Sequence, residues 1–370
     1  MKKRLLAVLL SAVMALSLGA CGDGNTGDTE KENNKDVKQP TITTLAEYKD
    51  FASILTGTYE VTDEKVKSYF SNVVYSVGIG LVEVTDRDTV QEGDIVKTDY
   101  KGLKDGVAFS GGSASDQWID VSNNCGVDTS SGSATGGYID GFASGLVGAK
   151  IGETKSHDVK FPDNYGNADL AGQDTTFEFT VKAIYTELTP EALTDAMVVE
   201  KLKESYGVST AEEFMALMRK ELAYNLLVNY VIEKSTFEIP EEYINLRLEE
   251  YQNLFAEVNC GEMDIESFLA YYYGTTLDNA KVEWASALQS QIKAELVFEA
   301  IVKAESLKTD ENELKEYVSS ITSVAAETSN EFYAKEDNIY RMLGAGNVNA
   351  GVAYYLNQNA VRDYVLENYK

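Results

Sequence analysis

The chain has 370 residues, with 32 lysines and arginines against 60 aspartates and glutamates, a net charge of −28, and a single histidine. A chain of this length, 44% apolar, can build two packed domains. The acidic balance excludes nucleic acid as a partner, because phosphate binding needs clustered cations. One histidine and three cysteines do not make a zinc set, so no metal and no cofactor is expected.

Lys2, Lys3 and Arg4 precede an apolar run over 5–18, broken only by Ser11 and Ser17, and then Leu18, Gly19, Ala20 and Cys21. Residues 1–20 read as a secretory signal peptide, too short for a transmembrane helix. The end of this segment resembles a bacterial lipobox, in which a peptidase cuts before the cysteine and its sulfur takes up a lipid. The resemblance implies lipidation of Cys21 and a place on the extracytoplasmic face of the cell membrane. An ordinary signal peptide or an uncleaved anchor is the alternative. Residues 21–40 hold one aliphatic side chain, Val37, too little to offset the entropy of ordering, and read as a disordered tether. Without the signal the chain has 29 bases against 60 acids, or −31. That charge favours solubility and weak encounters and leaves membrane attachment to the lipid.

Residues 41–89 form a helical N-terminal segment in this reading. Leu45, Tyr48, Phe51, Ala52 and Leu55 follow Thr44 at helical spacing, and Thr62 and Asp63 cap a second helix with Val66, Tyr69, Phe70, Val73 and Val74 on one stripe. From Val82 the period falls to two. Strands are predicted at 94–100, 117–121, 154–161 and 175–184, with glycine turns near Gly106 and Gly111 and a short helix over 141–147. His157 falls in one of these strands, at an edge or on the surface. Such a pattern is an α+β arrangement, an antiparallel sheet wrapping one helix.

From residue 188 to 370 the period returns to 3.6. Thr189 and Pro190 start a helix, Ser209 and Glu212 fit a capping box, and Pro240 restarts a helix with Tyr243, Ile244, Arg247, Leu248 and Tyr251. A long helix is predicted over 277–306, Thr309 caps another, and Gly344, Gly346 and Gly351 break the last stretch. Nothing in the spacing indicates whether Cys125 and Cys260 pair.

The window 90–187 holds an ordered series of motifs: Gly93-Asp94 before Tyr100, Asp105-Gly106 before Phe109, Tyr138-Ile139-Asp140-Gly141-Phe142, Gly148 to Gly152, Phe161-Pro162-Asp163-Asn164-Tyr165-Gly166, Leu170-Ala171-Gly172, and Phe177-Glu178-Phe179. Singly each is weak. In this order they resemble the FKBP-type prolyl isomerases, most closely the isomerase domain of trigger factor. Leu188 to Glu191 and Phe237 to Pro240 continue the likeness into that family's helical arms. The family's N-terminal ribosome-binding domain has no counterpart in the pattern, so no ribosome is expected as a partner.

The resemblance implies an FKBP-like antiparallel half-barrel around one helix, flanked by an all-α arm domain like that of trigger factor. It implies a pocket in which Tyr100, Phe109, Phe142, Tyr165 and Phe177 act on the substrate, with Tyr138, Ile139 and Leu170 binding it. Phe142 would be the floor, Tyr138 the rim, and the Tyr165 hydroxyl would meet a substrate carbonyl. Ser110 and Ala143 stand where the family commonly has acids, and Gln117-Trp118-Ile119-Asp120 where another pocket aromatic is expected. The stretch 122–137, rich in Gly, Ser, Asn and Thr, reads as a surface loop that either extends a client groove or obstructs the pocket.

Rotation about an Xaa-Pro bond meets a barrier of roughly 18–20 kcal/mol, because twisting breaks amide resonance. A dry aromatic cup lowers it by fitting the twisted amide better than the planar one. The expected function is therefore a membrane-anchored, extracytoplasmic foldase that isomerises Xaa-Pro bonds in exported proteins and holds unfolded or proline-containing clients. The alternative is a catalytically silent client-binding or scaffold lipoprotein of the same architecture. A nutrient-binding lipoprotein is disfavoured, since no two-lobed α/β pattern is visible.

Overall fold

The computed structural model describes residues 37–327 and 330–370. The expected signal peptide, Cys21 and most of the tether lie outside the described residues. In chain order the elements are β1 (Thr41–Thr44), α1 (Phe51–Ile54), α2 (Asp63–Ser76), β2 (Leu81–Glu83), β3 (Ile95–Lys104), β4 (Val107–Asp120), β5 (Cys125–Val127), β6 (Ala134–Gly137), β7 (Thr154–Lys160) and β8 (Asp174–Glu187). A broken helical stretch over 195–206 follows, then α3 (Ala211–Lys234), β9 (Thr236–Glu238), α4 (Glu241–Asn259), α5 (Ile265–Tyr273), α6 (Leu277–Glu305), α7 (Glu311–Glu327), α8 (Glu336–Leu343) and α9 (Val348–Asn368). The architecture is mixed α+β, with an antiparallel sheet and many helices.

Two compact units are present. One takes in residues 64–201 and 209–215, the other 202–208, 216–370 and the chain up to residue 63.

The first unit is built on the sheet β2-β8-β3-β4-β5-β6, with β7 also on β8. Every pairing is antiparallel. β8 organises it: one edge pairs with β3, and the other is shared by β7 over its first half and β2 over its last residues. Period two places Thr175, Phe177, Phe179 and Val181 on the buried face. Opposite Lys97 and Thr98 the register shifts past Lys182, so that Ile184 becomes the next buried residue, as a bulge requires. The short helix expected over 141–147 is a 3-10 turn, Ala143–Leu146, whose Ala143, Gly145 and Leu146 are buried. The stretch 122–137 is not a loop: it contains β5 and β6, which carry the sheet past β4. α2 buries Val66, Phe70, Val73, Val74 and Tyr75, and Phe70 meets Phe214 edge to face at 6.1 Å.

The second unit is helical around a small two-stranded sheet, β1 with β9. Residues 41–55 therefore do not begin as a helix. Ile42, Leu45, Phe51 and Leu55 pack with buried Tyr48 and Ile54 against Tyr224, Leu227, Phe298 and Val361. Tertiary packing overrides the helical spacing there. A separate cluster joins Phe255 and Cys260 to Phe268, Leu269, Ala280 and Trp284. Cys125 and Cys260 are both buried free thiols.

Several helix starts shift from the expected residue. Thr189 and Pro190 form a turn, and Thr194 is the cap, accepting from the Met197 N–H at 3.3 Å. The capping box of α3 is Thr210 with Glu213, the two bonding reciprocally at 3.1 and 3.2 Å. Asp310, rather than Thr309, caps α7. Gly344 ends α8 as expected, but Gly351 lies inside α9. A β-carbon on Gly351 would stand 1.9 Å from the Tyr340 carbonyl oxygen, so glycine is there for close approach.

Arg247 is wholly buried in this unit. Its guanidinium grips Glu295 with two bonds of 3.0 Å and donates to the Gly344 carbonyl at 2.9 Å. Glu250 lies 3.7 Å from its Nε and accepts from Asn347 at 2.9 Å; burial pushes the Glu250 carboxyl up from its ordinary pKa. The cluster ties α4 to α6 and to the turn after α8. Among the described residues no helix is long and apolar enough to cross a membrane.

Removing one member of a buried ion pair strands the other, at a cost of about 3–5 kcal/mol. Arg247→Met is expected to lower the unfolding free energy of this unit by that amount in urea titrations, and Arg247→Met with Glu295→Leu to recover most of it. A single variant within about 1 kcal/mol of wild type would show that the cluster contributes little.

Candidate functional site

Phe142 stands at the centre of the sheet unit. It follows Gly141, whose φ of 84° lies where glycine is favoured, and it leads into the 3-10 turn. Only 2% of Phe142 is exposed. Four rings surround it: Tyr138 at 4.4 Å, Phe177 at 4.8 Å, Phe179 at 5.0 Å and Tyr100 at 5.1 Å. Three contacts are edge to face, the arrangement that aromatic quadrupoles favour. The Tyr138 ring instead lies nearly parallel to Phe142, at 19°.

The group extends outward from this centre. Phe109 meets Phe177 and Phe161 edge to face, each at 5.9 Å. Tyr165 meets Phe161 at 4.6 Å. The depths are graded: Phe142, Phe161, Leu170, Phe177 and Phe179 are buried, Tyr100, Phe109, Tyr138 and Ile139 are partly buried, and Tyr165 is 40% exposed. The structure therefore brings all eight expected residues of this window into one cluster. A concavity of about 370 Å³ opens along its rim, lined by Gly137, Tyr138, Ile139, Asp140, Lys160 and Pro162. Another, of about 400 Å³, lies on the outer face beside Glu178 and Thr180. Its polar lining does not suit a proline ring.

Local structure explains each placement. Tyr100 and Phe177 come from the paired strands β3 and β8, where Gly102 is opposite Phe177. A β-carbon on Gly102 or Gly112 would fall about 2.5 Å from the Phe109 ring, so these two glycines make the slot that holds it. Tyr165 rides the loop 161–173, closed by the Phe161 N–H to the Gln173 carbonyl at 2.9 Å and by the Tyr165 N–H to Pro162 at 3.0 Å.

Burial raises the pKa of the Tyr100 hydroxyl. It pushes Tyr138 up to about 12, with Tyr100 and Cys125 adding to the effect. Both phenols are neutral donors at physiological pH. Ser110, at an acid's expected position, is exposed. Among the described residues no group of histidines, cysteines and acids could hold a metal ion. The arrangement can desolvate and shape a bound group and offer it hydroxyl donors; it holds no acid–base pair.

Two rings escaped the sequence reading, Phe161 and Phe179. The signal for Phe179 was present, since it shares the buried face of β8 with Phe177. Trp118 is not in the cluster: it packs on the opposite face against Tyr185 at 4.6 Å, under the Lys97 ammonium, while Ile119 takes the core position. His157 lies on β7, its ring against Gly145. Cys21 lies outside the described residues.

Comparison with known proteins bears directly on this site. Residues 86–184 match the family model for FKBP-type peptidyl-prolyl cis-trans isomerase, and residues 198–346 the model for the bacterial trigger factor protein C-terminus. The trigger factor of Streptococcus uberis is 30% identical over 336 residues, 85% of this chain and 73% of its own length. That of Clostridium beijerinckii is 29% identical over 300 residues, 76% and 65% of the two chains. Trigger factor 1 of Desulfitobacterium hafniense is 34% identical over 239 residues, 62% and 52%. The chain thus spans between about half and three quarters of the length of these relatives. A solved structure of the trigger factor chaperone aligns with 90% of this chain at 14% identity, but at a TM-score of 0.28 it has no bearing on the fold. The chain belongs to the trigger factor family and carries an FKBP-type peptidyl-prolyl isomerase domain.

Proposed function

We propose that this protein is an extracytoplasmic foldase, held to the membrane by lipid on Cys21, which isomerises Xaa-Pro bonds in exported polypeptides and holds unfolded clients. The observation that carries the catalytic part is the graded ring cluster: a buried floor at Phe142 and Phe177, half-buried walls at Tyr100, Phe109 and Tyr138, and an exposed Tyr165. A planar amide loses charge separation as it twists, so an apolar cup favours the twisted form relative to water. Tyr165 supplies a hydroxyl for a substrate carbonyl. In this reading the sheet and its 3-10 turn form the half-barrel, and the helices of the second unit are the client-holding arms. The exposed Tyr271, Tyr272 and Tyr273 suit weak contact with unfolded chains. The signal-like residues 1–20 with Cys21 support export and anchoring, so clients are met outside the cytoplasm and ribosome docking is not part of the reading.

A second reading, client holding without catalysis, is favoured by one observation: the Tyr138 ring lies over the Phe142 floor. A protease-coupled assay on a proline-limited peptide separates the two, since a covered floor leaves the rate at its uncatalysed value.

The choice of variant follows from burial. Phe142→Ala would cost about 3–5 kcal/mol of core packing and would confuse unfolding with inactivity. Tyr165→Ala, at an exposed position, is expected to leave the urea midpoint nearly unchanged and to lower kcat/KM about tenfold, the equivalent of one lost hydrogen bond. Full activity in that variant removes Tyr165 from the site. Because the Tyr100 and Tyr138 hydroxyls are both shifted upward, they stay protonated, and kcat/KM is expected to be flat from about pH 6 to 9. A bell-shaped profile would point to an ionising group instead.

Lipidation has its own readout. Expressed in a bacterium with labelled palmitate, the wild-type chain is expected to take up label into the membrane fraction and Cys21→Ser to take up none. Equal labelling of both would end the anchoring proposal.

A further inference from the structure

The segment that carries Tyr138, Ile139 and Phe142 lies between β6 and the 3-10 turn and belongs to no strand or helix. Its backbone groups have no ladder to join, and a segment in that state holds its side chains loosely unless something else satisfies them. Within it the Phe142 N–H donates to the Ile139 carbonyl at 3.1 Å and the Ser144 hydroxyl to the Gly141 carbonyl at 2.8 Å; from outside it, one residue makes four more bonds. Asn124 closes the turn between β4 and β5, in which Asp120 accepts from both the backbone and the side-chain amide of Asn123 at 2.8 Å. Its φ is 51°, in the left-handed region that asparagine tolerates better than most residues.

From there the Asn124 side chain reaches across to the segment. Its Nδ2 donates to the carbonyls of Tyr138 at 3.0 Å and Ile139 at 3.1 Å. Its Oδ1 accepts from the Ala143 N–H at 2.9 Å. Its own carbonyl accepts from the Tyr138 N–H at 2.9 Å. The Ala143 amide opens the 3-10 turn, whose preceding residue, Phe142, offers no side-chain cap; Asn124 supplies the acceptor that a capping side chain would. Four bonds from one residue thus bracket Phe142, two residues ahead of it on the Tyr138–Ile139 side and one behind.

We propose that Asn124 is a positioning residue for the isomerase site: its side-chain amide sets the height of the Phe142 floor and presents Tyr138 and Ile139 at the rim. The inference rests on the isomerase reading above. It gives the stretch 122–137 a definite part, in which the β4–β5 turn seats Asn124 and so braces the floor of the pocket from outside.

Asn124→Gly tests this directly. Glycine keeps the left-handed backbone without strain and removes only the side-chain amide. A residue that merely shapes the turn would leave the glycine variant at wild-type activity. A residue that sets the floor would lose about tenfold to a hundredfold in kcat/KM, as misplacement by a fraction of an ångström to an ångström does. The loss would fall on kcat rather than KM, since the floor meets the twisted proline. Asn124→Asp puts an oxygen where Nδ2 faces two carbonyls, and is expected to lose at least as much. The assay is run in the cold, far below unfolding, so that lost stability alone does not change the rate. Wild-type kcat in Asn124→Gly overturns the proposal. Should the wild type itself show no isomerase activity, the functional reading falls, and amide hydrogen exchange decides the clamp by itself. Faster exchange at Tyr138 and Ala143 in Asn124→Gly, with β3 and β8 unchanged, keeps it; unchanged exchange at both removes it.

Discussion

The contact between Phe142 and the paired rings of β8 is the constraint on which the sheet unit depends. Phe177 and Phe179 meet it at 4.8 and 5.0 Å, and the same ring is both the centre of the hydrophobic core and the floor of the proposed cup. In most proteins the site is added to a scaffold that would stand without it. In the proposed reading a buried core ring is also the floor of the cup, so the packing density that stabilises the fold also fixes the shape offered to a substrate.

Each unit also buries an ion pair. The sheet unit buries the Asp94 carboxylate, which accepts two bonds from the Arg87 guanidinium. Lys182 pairs with Asp99 at 2.6 Å and Asp116 at 3.0 Å on the outer face, exposed pairs that contribute little to stability. The helical unit buries Arg247 among carboxylates where α4, α6 and the turn after α8 meet. A dry cup suits a reaction in which charge separation diminishes, and a buried ion cluster suits a unit whose helices must hold one arrangement.

Much of this was legible in the residues. The change of period at Val82 and its return near Thr189 separate strands from helices, and the even spacing along β8 put Phe177 and Phe179 on one face. The residues expected to form a pocket came from ordered motifs rather than periodicity, and they lie in one cluster. What was illegible has physical causes. Leu45, Tyr48, Phe51 and Leu55 keep helical spacing but bury themselves against α3, α6 and α9 without a continuous helix, because tertiary contacts outweigh weak local propensity. β5 and β6 have three and four residues and almost no apolar alternation, so nothing marks them as strands. Gly102 and Gly112 read as turn or flexible residues; their use, as a slot for the Phe109 ring, exists only once β3 and β4 are paired. The capping box slipped by one residue because Ser209 and Thr210 are adjacent, as are Glu212 and Glu213, and only the backbone chooses between them.

β1 pairs with β9, with Thr41 opposite Glu238, and the Tyr48 hydroxyl bonds to Glu305, 257 residues further on. Residues 41–48 thus belong to a body that the ribosome finishes last. Synthesis from the amino end completes the whole sheet unit before β9, and closing so long a loop is slow. The isomerase-type unit can therefore complete itself while β1 still waits for its partner. Maturation in such a chain runs from the middle outward, and the amino-terminal strand is among the last elements to find its place.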